Sequence, residues 1–174
     1  FTLSQQFVVI AYYGVRNFQS TDTKETYSFY SYLLARILTV VAMFIVMFLY
    51  SKIFSITGEK FYIVLFMTLY RSCEAFSDVY QGLFQQHQRS DLAGKVLFYR
   101  SIVSLISFIC VIYLTENLLL SSIILFVVNA ILLFTFEYRY YFKNYHKVNV
   151  NMNSYWGETL EILRMCTVIF LSTY

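Results

Sequence analysis

The stretch LLARILTVVAMFIVMFLYSKI, residues 33–53, decides what kind of molecule this chain makes. Its only charges are Arg36 and Lys52, one near each end. A helix that crosses a bilayer needs about 20 mostly apolar residues, each rising about 1.5 Å. Long basic side chains at its ends can lay their stems along apolar surface and carry their charge to the interface. The stretch is therefore predicted to be a transmembrane helix. Outward from it the same character persists: 59% of the 174 residues are hydrophobic, only 13% are charged, and mean hydropathy is +0.58. Soluble domains run at about 45–50% apolar and about 25% charged, so an ordinary soluble domain is excluded.

Uncharged runs recur at residues 1–15, 37–51, 61–70, 101–115, 117–136 and 165–174. Borrowing their flanks, they predict complete spans at 33–53, 61–84, 98–114 and 117–136, with Arg100 snorkelling like Arg36, and partial spans at either end. The connection Thr115-Glu116-Asn117 is so short that the helices beside it must be antiparallel neighbours. Phe1 is not a methionine and Tyr174 lies inside an apolar run, so the chain is expected to be a piece of a longer protein. Residues 1–15 show no secretory signal pattern. There is no proline, which leaves glycine as the source of any helix bend. Gly82 lies inside a predicted span and Gly14 ends the first partial one.

Counting Lys and Arg loop by loop gives an orientation. Arg16, Lys24 and Arg36 flank the first loop; Arg89, Lys95 and Arg100 the third; Arg139, Lys143, Lys147 and Arg164 the fifth. Only Lys52 and Lys60 stand on the opposite side, so ten face two, and the positive-inside rule puts the odd loops in the cytoplasm. The net charge of +3 is thereby explained by topology, and no basic domain is left to bind nucleic acid. Tyrosines crowd the predicted interfaces, as amphipathic rings do at headgroup depth.

Against this apolar background, LYRSCEAFSDVYQGLFQQ at residues 69–86 is anomalous. At 100° per residue, Arg71, Glu74, Asp78, Gln81 and Gln85 fall within an arc of about 80°. A charge at the bilayer centre costs about 2.5–3.5 kcal/mol on insertion scales, so the stripe must face protein or water. Two readings stay open. In one, Arg71 pairs with Glu74 at i, i+3 and Asp78 meets another helix, which fixes packing. In the other, the stripe walls a water-filled path for a charged or sugar-bearing substrate. Gly82, next to the stripe, would let another element approach closely.

Other chemistry is missing from the pattern. Cys73, Cys110 and Cys166 form no paired motif, His87 and His146 are isolated, and no nucleotide, zinc-hydrolase or serine-hydrolase signature occurs. The expectation is a non-enzyme without metal or cofactor.

Two stretches carry a resemblance. YYGVRNFQSTDTKETYSFYSY (residues 12–32), followed by Arg36, and EAFSDVYQGLFQQHQRSDLAGK (residues 74–95) resemble the bacterial polysaccharide flippases of the multidrug/oligosaccharidyl-lipid/polysaccharide exporter superfamily, in the lipopolysaccharide biosynthesis protein branch. Gly14, Arg16, Gln19 and Asp22 in the first, and Asp78, Gly82, Gln85, Arg89, Asp91, Gly94 and Lys95 in the second, carry it. The resemblance implies an all-α, multi-pass protein of the bacterial cytoplasmic membrane, built as two pseudo-symmetric lobes. Such a protein flips an undecaprenyl-pyrophosphate-linked oligosaccharide to the outer leaflet, alongside a glycan polymerase and glycosyltransferases. Residues 1–137 would then be most of the N-terminal lobe, 138–158 a cytoplasmic linker and 159–174 the start of the second lobe. Arg71, Glu74, Asp78, Gln81 and Gln85 would line the translocation path, with Arg71, Arg16, Gln81 and Asn17 as donors to phosphate and hydroxyls. Arg16, Gln19, Asp22, Arg89 and Asp91 would form a cytoplasmic gate. The chain departs from the family at CTVIFLS, where Val168 stands in place of a proline common in relatives, which removes the kink expected there. A membrane-embedded glycan polymerase or ligase would need a large external loop, which the sequence lacks. A multidrug antiporter would favour a lone buried carboxylate, which Arg71 argues against.

Overall fold

The computed structural model of the chain describes residues 2–145 and 152–173. They form helices α1 (Thr2–Tyr12), α2 (Val15–Thr21), α3 (Phe29–Ile53), α4 (Glu59–Gln86), α5 (Ser90–Thr115), α6 (Leu118–Leu132), α7 (Arg139–Asn144) and α8 (Met152–Thr173). A π-helical turn, Leu133–Tyr138, joins α6 to α7 without a break. No strand occurs among the described residues. Among the described residues three stretches are long and apolar enough to cross a membrane, Phe29–Ile53, Ser90–Thr115 and Leu118–Asn144; α4, which holds the span expected at 61–84, is not one of them. The chain is an all-α membrane helix bundle.

Local chemistry sets the boundaries. Ser28 caps α3, accepting from Ser31 N at 3.2 Å, so that helix starts four residues before the apolar run suggested. Asn117 caps α6 in the same way through Leu120 N at 3.0 Å, directly after Glu116 takes a left-handed conformation, φ 49°. The tight α5–α6 turn is thus as expected. Where a single partial span had been read over residues 1–15, Tyr13 (φ 41°) and Gly14 (φ 70°) break the helix, and it resumes as α2. Arg16 and Gln19 therefore sit on a helix, not in a loop. At the other end the helix runs to Asn144 although a linker was expected from residue 138. Residues 146–151, with His146 and Lys147, lie outside the described residues, and residues 152–158, also expected in the linker, are instead the first turns of α8.

α4 is the central post. Its 28 residues measure about 42 Å, and it contributes to all four apolar clusters: with α1 and α3 (Phe7, Val8, Met43, Met47, Ala75), with α2, α3 and α8 (Val15, Tyr32, Val79, Ile162), with α5 and α7 (Leu83, Phe84, Ala93, Tyr141), and with α6 (Met67, Tyr70, Leu125). α5 is patterned the other way. Its buried residues are Ala93, Arg100 and Ser104, while Phe98, Leu105, Ile106 and Ile109 are exposed. A helix with polar groups inside and apolar groups outside suits lipid contact, because hydrocarbon takes the place of water at its outer face.

The π turn keeps one face of the last span inward. Leu125, Asn129, Leu133, Glu137 and Tyr141 are all buried at a spacing of four. In an α-helix each such step drifts by about 40°, so by Glu137 the face would have rotated away. The wider turn over Leu133–Tyr138 takes the drift back, leaving Glu137 1% exposed and its neighbour Phe136 63% exposed. The π turn is a helix irregularity that needs neither proline nor glycine, a kind the sequence reading had not considered.

The loops expected on one side do gather at one end. Glu25 meets His87 Nε2 at 3.0 Å, Gln86 Nε2 donates to Asp22 O at 2.6 Å, and Glu158 accepts from Ser28 N at 3.2 Å and Ser31 Oγ at 2.5 Å.

Candidate functional site

The polar stripe of α4 splits into two clusters. The first centres on Asp78, whose Oδ2 accepts from Arg36 Nη2 at 2.7 Å and whose Oδ1 accepts from Arg16 Nη1 at 3.1 Å. Arg16 Nε also donates to Gln85 Oε1 at 3.3 Å. Arg36 is wholly buried in α3. Its Nη1 donates to Ala11 O at the end of α1, a carbonyl that also accepts from Thr39 Oγ1 at 2.8 Å. Helix ends leave carbonyls without partners, and here a buried guanidinium and a hydroxyl serve one of them. Arg36 does not snorkel, as had been expected, because Asp78 and Ala11 O are its acceptors inside the bundle.

Higher on α4, Arg71 Nη1 donates to Glu74 Oε2 at 2.5 Å, the i, i+3 pair expected from the sequence. The Tyr70 hydroxyl donates to Glu74 Oε1 at 2.6 Å, and the Arg71 guanidinium lies 5.1 Å from the Tyr70 ring centre.

The second cluster is buried, with Arg100 7% and Glu137 1% exposed. Arg100 donates through Nε to Asn129 Oδ1 at 2.9 Å, through Nη1 to Glu137 Oε2 at 3.4 Å, and through Nη2 to the carbonyls of Cys73 and Asn129, each at 3.3 Å. Ser104 and Asn129 bond each other, and the Ser77 hydroxyl donates to Glu137 Oε1. Gln81 Nε2 donates to Ser77 Oγ at 2.9 Å. Arg100 is a second expected snorkeller that turns inward, drawn by a carboxylate and three oxygens. Without Arg36 and Arg100 the loop cations still stand eight against two.

The residues expected to form a gate divide as well. Arg16, Gln19 and Asp22 run along α4. Gln19 is buried against Gly82, where a Cβ would come within 2.9 Å of the Gln19 Cδ. Its amide donates to Val79 O and accepts from Leu83 N, both at 3.2 Å, in the orientation its neighbours require. The close approach expected at Gly82 is thus made by a side chain. Asp22 accepts from Thr26 N at 2.9 Å, Tyr27 N at 3.1 Å and the Tyr32 hydroxyl at 3.0 Å. Burial alone would raise its carboxyl pKa, but these hydrogen bonds outweigh it and hold the group below the ordinary carboxylate range. Arg89 and Asp91 stand apart, paired with each other at 3.1 Å and about half exposed.

Two cavities open on the Asp78 cluster. One, of about 420 Å³, is lined by Tyr12, Gly14, Arg16, Asn17, Asp78, Gln85 and Phe170. The other, of about 190 Å³, shares Tyr12, Arg16 and Asp78 and continues to Tyr70, Glu74, Ser77 and Gln81, with α5 opposite. Four of the five stripe residues line one or both; Arg71 lines neither. Two guanidiniums against one carboxylate leave the Asp78 cluster with one excess positive charge, and of its two cations Arg16, 28% exposed, is the one that lines the cavities.

Sequence reasoning missed Arg36, Arg100, Glu137 and Tyr12. Asn129 did leave a signal, as an amide in the middle of the uncharged run 117–136. Compared with known proteins, the chain matches no family model, no curated protein and no solved structure.

Proposed function

We propose that this chain is part of a transporter that moves a lipid-linked oligosaccharide, carried on a diphosphate of undecaprenyl-pyrophosphate type, across the bacterial cytoplasmic membrane by alternating access. The observation that carries the reading is the polar cleft inside an apolar bundle, with Arg16 at its mouth and the excess positive charge of the Asp78 cluster behind it. A diphosphate entering hydrocarbon needs cations and donors at fixed positions, and a guanidinium supplies both. Hydroxyl, amide and carboxylate groups deeper in the cleft suit sugar hydroxyls. Asp78 is held by two arginines, which fits poorly with a drug antiporter that would use it as a lone acceptor for an organic cation. No catalytic constellation is needed, and the glycan polymerase and glycosyltransferases would be separate partners.

Arg16→Gln in the full-length protein tests this. The amide can still hydrogen-bond Asp78 or Gln85 but offers no charge. The variant should accumulate in the membrane at the normal level and fail to restore surface polysaccharide to a flippase-deficient strain. Full restoration would overturn the reading.

A further inference from the structure

Gln81 is 4% exposed, and its Oε1 has no hydrogen-bond partner. The orientation of its amide is fixed by the chain of bonds behind it. Ser77 has a single hydroxyl proton and gives it to Glu137, so Ser77 Oγ must accept from the Gln81 Nε2–H. The acceptor oxygen is therefore left bare in a site where an unmet acceptor costs about 1–3 kcal/mol. Gln81 lines the 190 Å³ cavity, which is far larger than the roughly 10–15 Å³ that a single water needs. The charged groups lining that cavity are Arg16, Glu74, Asp78 and Arg100, two of each sign. The larger cavity beside it is lined by Arg16 and Asp78, with Asn17 and Gln85. Tyr12 and Tyr70 supply ring surface, and Ser77, Ser101 and Ser104 supply hydroxyls.

We infer that the 190 Å³ cavity is a subsite for one neutral, hydroxyl-bearing sugar ring, with Gln81 Oε1 accepting from a ring hydroxyl, next to the larger cavity where Arg16 takes the diphosphate. The inference rests on the transport reading above and adds to it a division of the cleft by chemistry. The bare acceptor calls for a donor, which phosphate oxygens at neutral pH do not provide and sugar hydroxyls do.

The test uses the full-length protein in nanodiscs, with Cys73, Cys110 and Cys166 replaced and one cysteine placed at Ser101 or at Asn17. Both positions are then labelled with a maleimide in the presence of two probes: undecaprenyl diphosphate, and lipid-linked oligosaccharide extracted from the polysaccharide-producing strain. The cysteine at 17 should be protected by both probes. The cysteine at 101 should be protected by the sugar-bearing probe alone. Adding Gln81→Leu should raise the concentration needed to protect position 101 by about tenfold, the scale of one hydrogen bond, and leave position 17 unchanged. Protection at 17 without protection at 101, or equal protection at 101 by both probes, would overturn the sugar subsite and leave the transport reading standing. So would an unaffected Gln81→Leu variant, whose bare oxygen would then be served by water. Protection at neither position would overturn the transport reading itself.

Discussion

The Asp78 and Glu137 clusters are built from the same parts, arginine against carboxylate between helices, and they differ in closure. Glu137 is 1% exposed and has one guanidinium, itself buried and bonded through all three of its nitrogens. Asp78 has two guanidiniums, one sealed in α3 and one open to a cavity. The balanced cluster spends its cation inside the bundle and ties α4, α5 and the π turn together. The unbalanced, open cluster keeps a cation in reserve. Under the transport proposed above, the two arginine–carboxylate sites of this bundle would serve structure in one case and recognition in the other.

The largest effect should come from breaking the closed cluster. Arg100→Met leaves Glu137 charged in a dry site, a loss of about 3–5 kcal/mol where a buried pair is broken. Membrane-inserted protein should fall severalfold on immunoblots, and the double change Arg100→Met with Glu137→Leu should restore it. Normal abundance of the single variant would show that the closed cluster is not structural. A smaller loss should follow Asp78→Asn, because Arg36 keeps its bond to Ala11 O. That change should cost about 1.5–3 kcal/mol, the scale of a hydrogen bond to a charged group, read as earlier thermal inactivation. Adding Arg36→Met should return stability without returning transport. If transport also returned, the contrast between the clusters would collapse.

The smallest effect belongs to Asp22, which lies outside both. Its carboxylate pins residues 26 and 27 and the Tyr32 hydroxyl. Asp22→Ala should loosen this turn by about 1–2 kcal/mol, seen as faster hydrogen exchange at residues 22–28 with α3 and α4 unchanged. The pinning should also depend on pH in a definite sense. The folded carboxyl titrates below its ordinary value of about 3.9, so its contribution is complete above that value and is lost as pH falls through the depressed one. Protection of the turn should be flat from pH 7 to about 5 and fall below about 4; a fall centred near neutrality would implicate another group.

The contrast also separates what the sequence disclosed from what it hid. The stripe on α4 was legible because 28 unbroken helical residues convert spacing into direction without error, and the Arg71–Glu74 pair follows from that alone. Arg36 and Arg100 were not legible. An arginine near the end of an apolar run can snorkel or turn inward, and the choice depends on acceptors that other helices bring: Asp78 and Ala11 O for one, Asn129 and Glu137 for the other. Arg16 was placed in a loop because VRNFQST is too short and too polar to announce a helix, and α2 is held by its contacts with α4. Glu137 was hidden by the π turn, since any reading at 100° per residue puts Phe136 on the inner face in its place.

That turn also settles a question of pitch. A helix whose inward face recurs every four residues must either coil around its neighbours along its whole length or absorb the mismatch somewhere. This chain absorbs it between Leu133 and Tyr138, in a single slip. The fifteen residues of Leu118–Leu132 are then free of any obligation to supercoil, and the phase of everything after them is set by one extra residue. Like a washer under a bolt, that residue fixes which side chain, Glu137 or Phe136, meets Arg100.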